Sequence, residues 1–334
     1  MKIIALLCVP IILVAGIIFN VSPEPTYDSV KEPSPASELT DLKAVTFARD
    51  LRDYKNHKVD SLGMDIYYPT GATSDKKYPL VMFYHAGGFM AGNRFNVMTI
   101  CDRFADEGFI AVGIDYRVGY NKGKGHDCLS DSLTFNAATY RASQDANSAV
   151  RFLVANADKY NIDTNWIFIA GSSAGASLAL YQGYVNDSIA KLYYPIPFNQ
   201  LGGQQSTGNT LSNKFTIKGI CSMWGALGHA PEIIDTGYKA IPTIIFKGEE
   251  DGGIPDSAGN YDDCLNMPYV YAGIAIYDQL RAQNRPSVFH YLPLAGHPAF
   301  DNGFCVQNAS CFFHTLMQGK SYSGQFSNFA VSCP

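Results

Sequence analysis

The sequence predicts an α/β protein in which helices cover both faces of a mostly parallel central sheet. Strand patterns alternate with helical patterns along the chain, and several of the strands are apolar without interruption. A strand needs such a continuous apolar run when helices bury both of its faces. The composition agrees, because hydrophobic residues make up 47% of the 334 residues and charged residues only 16%, which suffices for a large core.

The predicted elements follow one another from residue 61 onward. Residues 61–68 alternate up to Pro69, as in a strand, and 78–84 form the first continuous apolar run. A long helix is expected around 146–153, where apolar residues recur at positions i, i+3, i+4 and i+7 of one face. The remaining predicted strands are 109–115, 166–170, 217–223, 243–246 and 287–292, and further helices are predicted at 97–107 and 272–282.

The first residues resemble a targeting segment. Lys2 precedes an uncharged apolar run over 3–19, which predicts a signal peptide or an N-terminal membrane anchor at 1–22. Several prolines at 23–41 predict a flexible linker, and a single folded domain is expected over 42–334. We therefore expect an exported protein, secreted, periplasmic or held at the cell envelope, whose only membrane contact is the apolar run if it is not cleaved.

The cysteines also fit an exported protein. Seven remain besides Cys8, so at least one is unpaired or joins another chain. Cys221 lies in a predicted buried strand and is expected to be a free thiol. The other six could form three bridges, and Cys305 and Cys311 are near enough in sequence to pair locally. No metal-site spacing of Cys and His occurs, and a net charge of −5 disfavours nucleic-acid binding.

A candidate nucleophile lies where a predicted strand meets a helix. Residues 171–175 read Gly-Ser-Ser-Ala-Gly, a G-x-S-x-G pattern after an apolar strand. This context favours a nucleophile elbow, a sharp turn that exposes the hydroxyl of the middle residue, Ser173. A plain tight turn is the alternative. Ser172 is the weaker candidate, because its side chain should point away from the site.

Glycines follow another predicted strand, in the sequence His85-Ala-Gly-Gly. Acyl transfer needs donors for the oxyanion of its tetrahedral intermediate, and glycines let backbone N–H groups face the substrate. A glycine-rich strand end without a catalytic role is the alternative. His85 could also be a catalytic base, but its place in this motif favours a structural role.

Two further strands are each followed by a residue suited to acid–base chemistry. Asp251 could orient an imidazole, and His297 could take the serine proton and return it to the leaving group. Glu249 and Glu250 are fallback acids. His290 lies within a strand pattern and is expected to be a packed side chain.

These motifs make the chain resemble the α/β-hydrolases, in particular the carboxylesterases related to hormone-sensitive lipase and the bacterial feruloyl-esterase-type enzymes. The matching segments are 85–92, 115–117, 144–153, 160–163, 171–175, 247–255 and 295–297. The resemblance implies an α/β-hydrolase fold, and the 78 residues from Ser173 to Asp251 leave little room for a large cap domain. It also implies a triad and an oxyanion hole on the following residues: Ser173, His297 and Asp251, and the amides of Gly87, Gly88 and Ala174.

Two positions depart from the pattern of these esterases. Ala86 replaces the first glycine of H-G-G-G, which should matter little because the donors are expected on the later glycines. Ser172 replaces the acid of G-D-S-A-G. That change is expected to alter local hydrogen bonds and the pH profile but not the nucleophile.

The expected activity is a two-step hydrolysis of carboxylic esters that needs no cofactor and no metal. Small-molecule or carbohydrate-linked esters are the expected substrates, and the sequence does not fix the oligomeric state. The alternatives are a serine peptidase or amidase on the same fold and, less favoured, a non-catalytic binding module. Residues 256–271 look inserted after the acid, either as a surface loop tied by Cys264 or as a border of the pocket.

Overall fold

Eight of the nine strands in the central sheet run in the same direction, and only β2 opposes them. The computed structural model describes residues 36–123, 128–235 and 240–334, so the expected leader over 1–22 and most of the expected linker lie outside the described residues. The strands of this sheet are β1 Leu42–Arg52, β2 Lys58–Tyr67, β3 Tyr78–Tyr84, β4 Ile110–Ile114, β5 Ile162–Ser172, β6 Ile217–Met223, β7 Thr243–Gly248, β10 Ser287–Leu292 and β11 Gly324–Ser327. Their spatial order is β1-β2-β4-β3-β5-β6-β7-β10-β11.

Helices connect the strands, and a small antiparallel sheet lies apart. The small sheet pairs β8, Ala258–Asn260, with β9, Tyr269–Tyr271. The helices are α1 Met98–Asp106, α2 Ser132–Ala155, α3 Ala174–Tyr184, α4 Asp187–Tyr193, α5 Pro195–Leu201, α6 Ala230–Asp235, α7 Gly273–Ala282 and α8 Asn302–Met317. Asp131 and Asp301 cap α2 and α8 by accepting backbone N–H bonds in the first turn. None of the helices in the described ranges has the length and apolarity that crossing a membrane requires.

Side-chain alternation along the strands divides the core into two layers. On β3, Leu80 and Met82 face the cluster that contains α2, α3 and α7, whereas Val81 and Phe83 face the cluster that contains α1 and α8. All four are buried, as the continuous apolar run predicts. The α/β class, the mostly parallel sheet and the covering of both faces by helices are thereby confirmed. The described residues form one compact unit, with no separate cap domain among them.

A buried ion pair fastens the loop after β4 to α2. The guanidinium of Arg117 donates to both carboxylate oxygens of Asp145 at 2.8–3.0 Å, and the Asp145 side chain is fully buried. The Nη1 of Arg117 also donates to the carbonyl of Arg52, at the end of β1, at 3.0 Å. The pair therefore joins an edge strand, a loop and a helix.

The cysteine pairing differs from the expectation of three bridges. Two disulfides are present, Cys128–Cys264 and Cys311–Cys333, while the described chain keeps Cys101, Cys221 and Cys305 as buried free thiols. The free, buried Cys221 was expected, but the local Cys305–Cys311 pairing is wrong. Both of these residues lie on α8, and six residues at about 100° each place them on different faces. Cys305 faces the core, whereas Cys311 faces the C-terminal tail that carries its partner.

Candidate active site

Ser173 occupies a sharp turn between β5 and α3. Its backbone has φ 56° and ψ −120°, a left-handed conformation that a non-glycine residue adopts at a cost of about 1–3 kcal/mol. Its N–H donates to the carbonyl of Met223 at 2.9 Å, which ties the turn to the neighbouring strand β6. A Cβ at Gly175 would lie 2.0 Å from the carbonyl oxygen of Tyr84, so the helix can start this close to β3 only with glycine there. The sequence pattern thus builds the elbow that it predicts.

Asp251 and His297 meet at the ends of β7 and β10. The Nδ1 of His297 lies 2.8 Å from Oδ2 of Asp251, and the other carboxylate oxygen accepts the amides of Gly253 and Ile254, each at 3.0 Å. Burial acts to raise the pKa of Asp251, but the hydrogen bond and charge of His297 and the Ile254 amide bring it below its ordinary value. Because an ionised carboxylate only accepts, the imidazole donates from Nδ1 and keeps Nε2 free to take a proton.

A buried lysine also faces the Asp251 carboxylate. The Nζ of Lys247 lies 3.5 Å from Oδ2 of Asp251 and donates to the carbonyl of Gly248 at 2.6 Å. Burial lowers the pKa of Lys247, while the charges of Asp251 and Asp256 act to raise it. The Lys247 side chain is completely buried, so it contacts the Asp251 carboxylate inside the protein and does not reach the pocket.

The three triad candidates and the expected oxyanion donors surround one cavity or lie just behind its wall. The cavity has a volume of about 380 Å³, and Ser173 and His297 both line it, while Asp251 stands behind His297. The other lining residues are Gly87, Gly88, Phe89, Met90, Tyr120, Lys122, Phe135, Ala174, Gly253, Ile254, Tyr261, Asp262 and Met267. Ala174 is the first residue of α3, so its N–H has no partner within the helix and lies at the positive end of the helix dipole.

Solved structures share this architecture. A truncated carbohydrate esterase from gut microbiota has a TM-score of 0.56 and 17% sequence identity, covering 86% of this chain and 99% of that one. The apo form of Thermogutta terrifontis esterase 2 has a TM-score of 0.54 and 19% identity, covering 83% and 96%. The chain has the α/β-hydrolase fold.

Sequence comparisons agree with this fold. The family model described as BD-FAE matches residues 64–228 of this chain, a range that includes Ser173 but neither Asp251 nor His297. Esterase LipI of Mycobacterium tuberculosis is 28% identical over 231 residues, 66% of this chain and 62% of that protein. Gut esterase 1 of Caenorhabditis briggsae is 31% identical over 120 residues, which cover 35% of this chain and 20% of that protein. The chain spans less than two thirds of the length of these curated relatives.

The weaker candidates from the sequence have other partners in the structure. His85 is buried and stacks on Tyr116 at 4.0 Å, and burial lowers its pKa, so it is a neutral structural residue at pH 7. The Oγ of Ser172 accepts the indole N–H of Trp224 at 3.1 Å. Glu249 accepts the amide of Leu294 at 3.0 Å, and so it does not face His297.

Several residues that shape the site were not anticipated from the sequence. Trp224 packs edge-on against His297, with ring centroids 6.0 Å apart. Phe135, which was also not anticipated, reaches the cavity from α2. Tyr261 reaches it from the inserted segment 256–271, one of whose two expected roles was to border the pocket. That segment is therefore a border of the pocket as well as a loop tied by a disulfide. The contact of Lys247 with Asp251 was also not anticipated. Its only sign in the sequence is a charged residue at the end of an apolar strand.

Proposed function

We propose that this protein is a serine carboxylesterase that acts through Ser173, His297 and Asp251. The 2.8 Å contact between His297 and Asp251, beside the cavity at which the elbow presents Ser173, carries the proposal. The esterase names of the curated relatives and of the solved structures support the same reaction class.

In the acylation step, Nε2 of His297 takes the proton of the Ser173 hydroxyl as Oγ attacks the ester carbonyl carbon. The carbonyl oxygen becomes an oxyanion, and the amides of Gly87, Gly88 and Ala174 are the proposed donors to it. Asp251 stabilises the imidazolium and holds its tautomer. The imidazolium then gives its proton to the alcohol oxygen as the carbon–oxygen bond breaks.

The deacylation step repeats the same transfers with water. His297 takes a proton from a water molecule, whose oxygen attacks the acyl carbon, and returns it to Oγ of Ser173 as the acid departs. No cofactor takes part in either step. Because the cavity has a volume of about 380 Å³, we propose small esters, free or carbohydrate-linked, as the substrates.

Replacement of the nucleophile tests the proposal. Purified Ser173→Ala should lose esterase activity on p-nitrophenyl butyrate by a factor on the order of 10⁴ or more, and a fluorophosphonate should label only the protein that carries Ser173. Ser172→Ala is the matched control, because its hydroxyl is already bonded to Trp224. We expect this control to stay within about tenfold of the wild type. Full activity in Ser173→Ala would refute the assignment.

Amide substrates separate the peptidase or amidase alternative from the esterase. The wild type should hydrolyse p-nitrophenyl butyrate at least a hundred times more efficiently than the matching p-nitroanilide. A preference for the anilide would instead favour the alternative. If the wild type binds esters but does not hydrolyse them, the result would favour the non-catalytic binding module.

We also propose that the protein is exported. The two disulfides are typical of an oxidising compartment, and the charge pattern at 1–22 is typical of a leader. N-terminal sequencing of the protein recovered from outside the cytoplasm distinguishes a cleaved leader from an anchor. Recovery of the protein in the cytoplasm with all thiols reduced would contradict export.

A further inference from the structure

A second cavity lies next to the catalytic one and is separated from it by two aromatic side chains. It has a volume of about 210 Å³. Phe135 and Tyr261 line both cavities, and their ring centroids are 4.9 Å apart. These two rings therefore form a wall with substrate space on one side and unused space on the other.

The Tyr261 ring is fixed in this wall. Its hydroxyl donates to Oγ of Ser177 at 3.1 Å, and the same oxygen accepts the amide of Ala226 at 3.0 Å. Three residues further on, Cys264 is bonded to Cys128, so the segment is also held covalently. The Tyr261 ring, anchored at its hydroxyl and near it along the backbone, is therefore held in place between the two cavities.

The residues that line the second cavity favour the acyl group over the leaving alcohol as its occupant. Ser177 and Tyr181 are four residues apart along α3, so they lie on nearly one face, about 6 Å apart along the axis, and the N–H of Ser177 donates to the carbonyl of Ser173, just before the helix, at 3.0 Å. Ser173 lines the first cavity, and the other two line the second. The acyl carbon is the atom that bonds to Ser173, whereas the leaving alcohol must lie beside His297, which lines only the first cavity.

We propose that the second cavity is an extension of the acyl site that Phe135 and Tyr261 separate from Ser173, and that Tyr261 determines specificity by limiting the length of the acyl group. This inference rests on the proposed ester hydrolysis at Ser173. The extension would accept mainly apolar acyl groups, because more of its lining is apolar than polar: the rings of Phe135 and Tyr194 line it beside the polar side chains of Asn136, Thr139 and His229. Its volume exceeds the roughly 150 Å³ of an apolar cavity that binds benzene, so several methylene groups fit.

Acyl-chain selectivity tests the inference. We expect the wild type to prefer p-nitrophenyl butyrate over the octanoate. In Tyr261→Ala the octanoate-to-butyrate ratio of kcat/KM should rise at least tenfold, because each newly buried methylene contributes a factor of about four. Activity on the acetate measures any general loss of catalysis in the variant, which the octanoate-to-butyrate ratio cancels. Tyr261→Phe keeps the ring and should keep the wild-type ratio.

Three further variants distinguish the removal of the wall between the cavities from a general loosening of the packing around this segment. Tyr271→Ala alters the same segment but lines neither cavity, so it should keep the wild-type ratio. Thr139→Phe fills the second cavity and should reverse the gain when it is combined with Tyr261→Ala. If Tyr261→Ala does not fold, Phe135→Ala opens the same wall from α2 and must produce the same change in the ratio.

The outcomes for the two proposals are distinct. A wild type without ester hydrolysis refutes the proposed function. An active wild type and active, folded Tyr261→Ala and Phe135→Ala variants with an unchanged ratio refute only the role of Tyr261. A rise in the ratio that Thr139→Phe does not reverse would show that the extra methylenes bind outside the second cavity, which also refutes the inference.

Discussion

Acid should destabilise the folded protein through one buried histidine, His290. Its ring is fully buried on β10 and stacks on Phe246 at 4.9 Å. Its Nε2 lies 3.0 Å from Oγ of Ser332, whose own proton goes to Oδ1 of Asn308, so Nε2 is the donor. Nδ1 is buried without a partner. A second proton would therefore be placed on an atom without an acceptor, and burial lowers the pKa of His290 to about 4.

The size of the effect follows from this pKa. The folded pKa of about 4 is below the ordinary value of 6.5, so the unfolded chain binds more protons between these pH values and stability falls as the pH drops. The linkage relation gives a loss of about 2 kcal/mol between pH 7 and pH 5 from this residue alone. For a folded chain of this size that loss corresponds to roughly 3 °C in the thermal midpoint.

Urea unfolding of the wild type and of His290→Gln at pH 7 and pH 5 measures the effect. The variant should lose about 2 kcal/mol less than the wild type between these two pH values, because glutamine does not titrate there. His85, whose pKa burial also lowers, contributes equally to both proteins and cancels. His57→Gln, at an exposed position, is the control for the histidine-to-glutamine change itself. Equal pH dependence in the wild type and His290→Gln would refute the reasoning.

Two other substitutions have expected outcomes. Asp251→Asn should lower kcat on p-nitrophenyl butyrate by about 10⁴-fold with little change in KM, because the amide cannot hold the required His297 tautomer; a loss below tenfold in steady-state kinetics would place the acid elsewhere. Arg117→Met leaves the Asp145 carboxylate buried without its cation and should lower the free energy of unfolding by about 3–5 kcal/mol. Lys77→Met, in an exposed ion pair, should cost less than about 1 kcal/mol, so equal losses in denaturant titrations would contradict the importance of burial.

The central strands were predictable because burial on both faces leaves a strong sequence pattern. The runs at 78–84, 217–223 and 287–292 coincide with β3, β6 and β10. The edge strand β1 was not predicted as a strand. Its pairing with β2 shifts register twice, and Ala44 and Asp50 adopt positive φ values, so its side chains do not alternate regularly. Irregular pairing removes the period-two signal on which strand prediction depends.

The candidate triad was accessible from the sequence because each of its members follows a strand. Parallel strands end at the same edge of a sheet, so position along the chain gives position at the site. No such rule predicts which residues form the walls of the cavity. Phe135 enters from α2, and Tyr261 from a segment far along the chain, and only tertiary packing brings their rings within 4.9 Å.

The prediction of the disulfide pairing failed because it also relied on distance along the sequence. Closeness in sequence favoured a bond between Cys305 and Cys311, but helical phase directs these side chains apart. The bond that borders the site instead joins residues 136 positions apart, which no local pattern indicates.

The Cys128–Cys264 bond makes a covalent ring of the chain between these residues, and Ser173 and Asp251 lie inside the ring while His297 lies outside. Lys214, an exposed residue, also belongs to the ring. Trypsin cleavage after Lys214 would therefore leave both pieces attached through sulfur. On an electrophoresis gel the nicked protein would migrate as two fragments only after treatment with a thiol, and a single band without it would not demonstrate an intact polypeptide.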